Sequence, residues 1–558
     1  MTRMIGTPIL RALGRTLAVV ALAAAGSAGA EIREPCANFD ALRQPFFGDL
    51  HTHTSLSFDA YLFENRNTHD DAYAFAQGEP IGLPPLDAQG EPTRSLVLER
   101  ALDFTALTDH SEFLGEISIC TTEPIPGYTA CNVLHNSDPA FAFAFWGQRL
   151  APPPTRFPFC GQSPGLACLF AAASVWQSVQ ASAEAHYDRT SACTFTSFNA
   201  YEWTAGTLDG GIHRNIVFSS EVVPALPMSF FEVQDPQVLR ETLVSQCETA
   251  GPDCDVIAIP HNSNLSGGNM FDPLAGGQPM TPEQAALRAQ LEPLVEIVQH
   301  KGDSECRLGV GTNDEQCAFE KVATGPPGED SPTSYARNAL GIGLQIEAEI
   351  GVNPFRFGFV GATDNHNGTP GATDEAAFVG HVGSVDADPA DRLSGNLARY
   401  SPGGLTVLWA EENSRTSLFA AMRRRESYAT SGTRPIVRFF GGAGYPADLC
   451  TRSDFAEVGY AQGAPMGGEI RVDDAPSFAV SALMDPGTAT TPGTPLQRIQ
   501  VVKLSLADGA VTEEIFDVAG DEDNGAAVDL ATCETTGSLS TALCAVWTDP
   551  TFDPADPP

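Results

Sequence analysis

Pro45-Phe46-Phe47-Gly48-Asp49-Leu50-His51-Thr52-His53 carries an apolar run straight into two histidines spaced two residues apart. Side chains alternate along a strand, so His51 and His53 would face opposite sides of a regular one. At a strand end the backbone can bend, and both imidazoles can then reach one ion. Alone the pair is a weak sign, equally compatible with two surface histidines. Its weight comes from recurrence of the same pattern downstream. Phe104-Thr105-Ala106-Leu107-Thr108 runs into Asp109-His110, and Phe198-Asn199-Ala200-Tyr201 into Glu202, while His213 opens a neighbouring run. Val256 to Pro260 ends at His261, and Phe357 to Thr363 ends at Asp364-Asn365-His366. In a parallel barrel all strand C-termini lie on one face, where these residues would converge on one site.

Around these landmarks, residues 45 to 430 alternate short apolar or β-branched runs with helical stretches, the rhythm of an α/β barrel or layered sheet. Strands are predicted at Pro45 to Leu50, Asp103 to Leu107, Thr194 to Tyr201, Ile216 to Phe218, Val256 to Ile259, Val295 to Val298 and Phe357 to Val360. Helices are predicted at Leu166 to His186, after the cap Asp235-Pro236, and at Pro282 to Leu291, Ser334 to Ile350 and Thr416 to Arg425. Pro- and Gly-rich stretches at 78–92, 151–165, 266–280 and 324–332 read as surface loops. Beyond Arg434 shorter alternating runs take over at Ile470 to Val472, Phe478 to Leu483 and Ile499 to Leu506. The expected division is therefore a leader over 1–30, a metal-binding barrel with long insertions over 31–434, a small β-rich domain over 435–548 and a frayed tail over 549–558.

The leader is read from Arg3, Arg11 and Arg15, the apolar run Leu17 to Ala25, and Ala28-Gly29-Ala30, which together predict a signal peptide cleaved after Ala30. No later stretch offers the roughly 20 continuous apolar residues of a spanning helix, so a periplasmic or secreted protein without stable membrane insertion is expected. The leader holds three of the 31 basic residues and none of the 70 acidic ones, so its removal takes the formal charge from −39 to −42. Such a field repels phosphate backbones and argues against a nucleic-acid partner. Export permits disulfides, and among the 13 cysteines five close pairs suggest loop staples: Cys120 with Cys131, Cys160 with Cys168, Cys247 with Cys254, Cys306 with Cys317, and Cys533 with Cys544. Cys36, Cys193 and Cys450 are left over, and no CxxC spacing supports a thiolate zinc site.

Taken together, the HTH, TDH, strand-end Glu202, PHN and DNH motifs resemble the polymerase and histidinol phosphatase (PHP) superfamily, within it a branch carried as a domain of unknown function. The resemblance covers about residues 45 to 435. It implies a distorted seven-stranded β/α barrel that holds two or three zinc, manganese or iron ions and commonly hydrolyses phosphoesters. Carried over by position, His51, His53 and Asp364 would hold one ion and Glu202 would bridge to a second, completed by His261 and His213. A third would lie between His110 and His366, where the superfamily often supplies another histidine. Here that position is Asp59, a harder ligand that leaves the metal's identity open.

A water bridging two such ions becomes a nucleophile near neutral pH, and the ions would offset the anionic charge of an ester. Asp109 and Asp49 could orient ligand imidazoles or merely bond nearby backbone. His300 and Lys301, just after the Val295 to Val298 strand, could donate to a leaving group or lie in solvent. Arg214 and Arg434 could clamp a substrate anion or pair with a carboxylate. Tyr201 and Trp203 read as packing residues, and His69, His135, His186 and His381 as surface or structural ones. No GxSxG elbow, P-loop or dinucleotide GxGxxG follows a strand, which removes serine hydrolases, NTPases and dehydrogenases. The expected activity is metal-dependent hydrolysis of a small-molecule ester, with a phosphoester first. A carboxylic ester, lactone or amide is the alternative, and a non-catalytic secreted binding protein a third.

Overall fold

A computed structural model describes residues 33–207, 210–322, 331–529, 531–532, 534–537 and 539–553. The expected leader with its cleavage point, most of the 324–332 loop, Cys533 and the last five residues lie outside the described residues. Strand β1 (Gln44–Asp49) pairs in parallel with β2 (Phe104–Ala106), and β2 with β3 (Thr196–Phe198). Next, β4 (Ala200–Thr207), β5 (Gly210–Phe218) and β6 (Val256–His261) make an antiparallel sheet. Strand β7 (Leu294–Gln299) runs parallel to β8 (Gly358–Gly361). Finally β9 (Leu405–Ala410) returns antiparallel beside β1, with β10 (Ser427–Thr430) outside it.

The class is mixed α/β, but the strands are not uniformly parallel. Two residues separate β4 from β5, a spacing that suits a hairpin and excludes a helical crossover. Backbone bonds link the sheets: Glu202 N–H to the Asp109 carbonyl at 3.0 Å, Ser111 to Glu202 at 2.8 Å and Gly404 to Ala362 at 2.7 Å. One apolar cluster joins them as well, drawing Phe46, Phe104, Phe198, Ala200, Val217, Ile257, Leu294, Val360 and Leu408 from the first nine strands. Gly48 is needed within it, because a Cβ there would lie 2.4 Å from the Phe104 ring.

Among the helices are α1 (Phe58–Leu62), α2 (Pro139–Gly147), α3 (Leu166–His186), α4 (Pro236–Ala250), α5 (Pro282–Leu291), α6 (Ala336–Ile350) and α7 (Arg415–Arg424). Asp235 caps α4 by accepting from the Gln237 and Val238 amides, ahead of Pro236. Helix α3 is long and apolar enough to cross a membrane by length and composition, although Ser174, Gln177, Gln180 and Glu184 interrupt its apolar run. One face of it, with Ala172, Trp176, Val179 and Ala183, is buried against the chain, and Trp176 donates to the Pro224 carbonyl at 2.8 Å.

After Arg434, β11 (Ile436–Gly442), β12 (Gly463–Pro465), β13 (Ser477–Leu483) and β16 (Ala542–Thr548) form a sheet in the order β12-β11-β13-β16. A long hairpin of β14 (Arg498–Ala507) and β15 (Ala510–Gly520) lies beside it. Three local expectations change. Ile470 to Val472 is not a strand, being hemmed in by Gly467-Gly468 and by Asp473, Asp474 and Pro476. Part of the 78–92 loop forms a hairpin, Ile81–Leu86 with Pro92–Leu96, because Ile81 and Leu83 bury against Phe75. Asp549 is no frayed end: it is buried and pairs with Lys503 at 2.9 Å. The four other short-range cysteine pairs form as expected, but Cys544 bonds Cys450 rather than Cys533, and Cys36 bonds Cys193.

Beneath the antiparallel sheet, Arg214 from β5, Arg240 from α4 and Arg288 from α5 converge on Glu292 at 2.8, 2.8 and 3.0 Å. None of the four is more than 4% exposed. Burial opposes the charge of Glu292, but Arg214, Arg288 and Arg240 hold its carboxyl far below the ordinary range. A depressed folded pKa stabilises above the unfolded value and loses that contribution as pH falls below it, about 4.3 for glutamate. Glu292→Ala is expected to cost about 3–5 kcal/mol by stranding three buried cations. Glu292→Gln should flatten the acid limb of a plot of denaturation midpoint against pH. A wild-type midpoint retained in Glu292→Ala would contradict the role of this cluster.

Candidate metal centre

The expected ligands meet at one end of the linked sheets. Glu202 stands on β4, where its backbone bridges to His110, and its carboxylate divides two groups of donors. Oε1 lies 2.7 Å from His213 Nδ1 and 3.1 Å from His261 Nε2. Oε2 lies 3.4 Å from His51 Nε2 and 3.3 Å from His53 Nε2. Asp364 Oδ1 faces the same two imidazoles at 3.3 and 3.1 Å. Nearby, Asp59 Oδ2 is 3.1 Å from both His110 Nε2 and His366 Nε2.

These spacings suit ions. Around a centre with ligand bonds of about 2.0–2.2 Å, neighbouring donors lie about 3.0–3.5 Å apart, depending on geometry. His51 Nε2 is buried without a hydrogen-bond partner yet faces two carboxylates, the disposition of a ligand rather than of a bonded imidazole. The sets of donor atoms close enough to share an ion include His51, His53 and Asp364; Glu202, His213 and His261; and His53, Asp59, His110 and His366.

Local backbone explains why residues two apart can face one point. Asp364 adopts the left-handed conformation, φ 51°, and its amide donates to the His51 carbonyl at 2.9 Å. That turn lets Asp364 and His366 share a face. Ring nitrogens are also held by neighbouring side chains, and His110 Nδ1 lies 3.3 Å from Glu202 Oε2 as well. His51 Nδ1 lies 3.1 Å from a Glu296 oxygen, His53 Nδ1 2.8 Å from Ser57 Oγ and His110 Nδ1 2.7 Å from Thr204 Oγ1. His366 Nδ1 donates to the Asp364 carbonyl at 2.9 Å, which leaves its Nε2 lone pair toward Asp59.

The charges are coupled. Burial opposes ionisation of Glu202, but His110 and His261 hold its carboxyl well below the ordinary range. Burial likewise opposes the charge of Asp59, and His110 and His366 overcome it. His110 is lifted to about 10 against its burial by Glu202 and Asp59, whereas burial, aided by His366, takes His53 down to about 4. Burial pushes Glu296 up to about 7 despite the neighbouring His51.

The other expected site residues divide. Lys301 reaches the centre: its ammonium bonds Asp364 Oδ2, and its side chain is 22% exposed. His300 Nε2 lies 3.5 Å from the same oxygen, with both ring nitrogens buried and lacking hydrogen-bond partners. Asp109 does not orient a ligand imidazole. It accepts from the Thr54 and Ser57 amides at 2.7 and 3.1 Å and faces His69, so it shapes the turn after His53. Asp49 likewise accepts from Thr363 Oγ1 and the Gly371 amide at 2.6 and 2.8 Å. Arg214 points into the Glu292 cluster, since neighbours along a strand face opposite sides and His213 takes the ligand side. Arg434 donates to the carbonyls of Ala101 and Arg100 and bonds Asp485 through its amide, away from the centre. Tyr201 and Trp203 are core residues, as expected. Sequence reasoning missed Glu296, Ser57 and Thr204; only Glu296 left a sign, as a lone carboxylate inside the apolar run Val295 to Val298.

Fold and site define a mixed α/β protein with a buried imidazole and carboxylate centre suited to divalent metal. The chain belongs to the family described as "Protein of unknown function (DUF3604)", whose model matches residues 40–557. No curated protein matches it. Among solved structures it is similar to a two-domain protein containing a predicted PHP-like metal-dependent phosphoesterase from Bacteroides vulgatus. The likeness spans 94% of this chain and 92% of that one, at 11% identity and a TM-score of 0.30, too loose to bear on function.

Metal content separates the donors' roles. After dialysis against metal-free buffer, Glu202→Ala should retain less divalent metal than Asp59→Ala, since Glu202 serves two groups and Asp59 one. Glu296→Ala should weaken metal affinity about 10–100-fold by releasing the His51 ring. Elemental analysis showing equal retention in all three variants and the wild type would contradict the assignment.

Proposed function

We propose that the chain is a metal-dependent hydrolase of the PHP type that acts on phosphoesters, with its ring of strands a distorted β/α barrel. The observation that carries this reading is the Glu202 carboxylate, set between His213 and His261 on one side and His51 and His53 on the other. That arrangement suits two adjacent ions better than one. When bound, zinc, manganese or iron would supply Lewis acidity and make water nucleophilic near neutral pH.

The chain's own residues supply the rest. Asp364 offers Oδ1 to the His51 and His53 group and Oδ2 to Lys301, tying a cation of the protein to the centre. Burial opposes the charge on Lys301, but Asp364 raises its pKa and keeps it an ammonium, able to donate to an anionic oxygen or a departing alkoxide. Burial holds His300 well below its ordinary value, so beside Lys301 it is a neutral imidazole able to accept a hydrogen bond. This local positive charge would let a protein of net charge −39 bind an anionic ester. The six disulfides favour an oxidising compartment and so the periplasmic or secreted location.

A panel of phosphomonoesters and phosphodiesters, with purified protein supplemented with manganese or zinc, is expected to show turnover. Lys301→Ala should lower kcat about a hundredfold at unchanged metal content. Two bound ions with no phosphoester turnover, or hydrolysis confined to carboxylic esters or lactones and lost in Glu202→Ala, would overturn the phosphoester reading.

A further inference from the structure

One side of the centre is walled with aromatic rings that no ligand role explains. The Phe58 ring lies 5.7 Å from His110 and the Phe63 ring 6.3 Å from His366, the two imidazoles that share Asp59. Phe143, on α2, stacks over both, at 5.8 Å from Phe58 and 6.1 Å from Phe63. Helical spacing singles it out. In Pro139-Ala-Phe-Ala-Phe-Ala-Phe-Trp-Gly147, Phe141 and Phe145 lie four apart and stack on each other, while Phe143 falls between them on the opposite side. There it faces α1 and the metal ligands, yet it remains 44% exposed. Phe58 behind it is buried, so the wall has a packed base and an open outer ring. Two polar groups of the centre are partly exposed as well, His213 at 21%, its ring 6.3 Å from that of His110, and Lys301 at 22%. Polar groups of the centre and the outer aromatic ring therefore both reach solvent.

We propose that Phe143, with Phe63 beside it, is the subsite for an aryl or bulky apolar group of the substrate, whose anionic group lies at the metal centre. This rests on the metal-centre reading and deepens it: the substrate class becomes esters with one anionic group and one large apolar substituent. An aromatic face offers such a substituent a stacking surface and removes apolar area from water, whereas it offers nothing to a second phosphate. The strongly negative chain works in the same direction, since each further anionic charge on a ligand is repelled.

The test is binding, which does not depend on turnover. Calorimetric titration of the manganese-loaded protein with phenylphosphonate and with methylphosphonate should show the phenyl compound bound about tenfold more tightly. That ratio should fall to near one in Phe143→Ala and be partly kept in Phe143→Leu, with metal content and melting temperature as checks that the variants fold. A wild-type ratio near one, a ratio unaffected by both substitutions, or binding of neither phosphonate would overturn the proposal. If the phosphoester panel shows no turnover but the phenyl preference depends on Phe143, the subsite stands and the hydrolytic reading falls. Turnover without that preference gives the reverse.

Discussion

Glu202 is the constraint around which the centre is built. Its carboxylate is buried, negatively charged and met by imidazole nitrogens at both oxygens, and it stands where β4 bridges the His110 segment. An ionised carboxylate removed from water costs several kcal/mol unless cations or strong donors surround it. Asp59 and Asp364 repeat the problem nearby, so three buried acidic side chains lie among a cluster of histidines. Divalent ions satisfy that concentration of lone pairs far better than protons distributed among imidazoles.

The surroundings are arranged so that the ligands have little freedom. Glu296, Ser57, Thr204 and the Asp364 carbonyl each hold one nitrogen of an imidazole, and the left-handed turn at Asp364 sets the last ligand pair. Asp49 and Asp109 act one layer out, gathering backbone amides of the turns that carry His51 and His53. The Glu292 cluster does comparable work on the opposite face of the antiparallel sheet. There Arg214 anchors β5 while its neighbour His213 faces the ligands.

Much of this was legible because the chemistry sits in runs with a strong period. Apolar strands ending in His51, His110, His261 and Asp364 announce themselves, and α3 and α5 begin and end where patterning and capping placed them. What was not legible depends on partners distant in sequence. Glu296 meets His51 across 245 positions, and Arg214 finds Glu292 rather than a substrate because alternation decides its face, which spacing to His213 alone could have suggested. Proximity in sequence points Cys544 to Cys533, but pairing of β16 into the C-terminal sheet sets it beside Cys450, 94 positions away. The mixed strand directions escaped notice for a similar reason: the motifs mark strand ends but not the direction of the neighbouring strand.

The most direct test of the account is a crystal of the metal-loaded protein measured on both sides of the manganese absorption edge. Anomalous peaks are expected on both sides of the Glu202 carboxylate, one within bonding distance of His51, His53 and Asp364 and the other of His213 and His261. A single peak that leaves one Glu202 oxygen bonded only to protein, or no peak among these side chains, would contradict it.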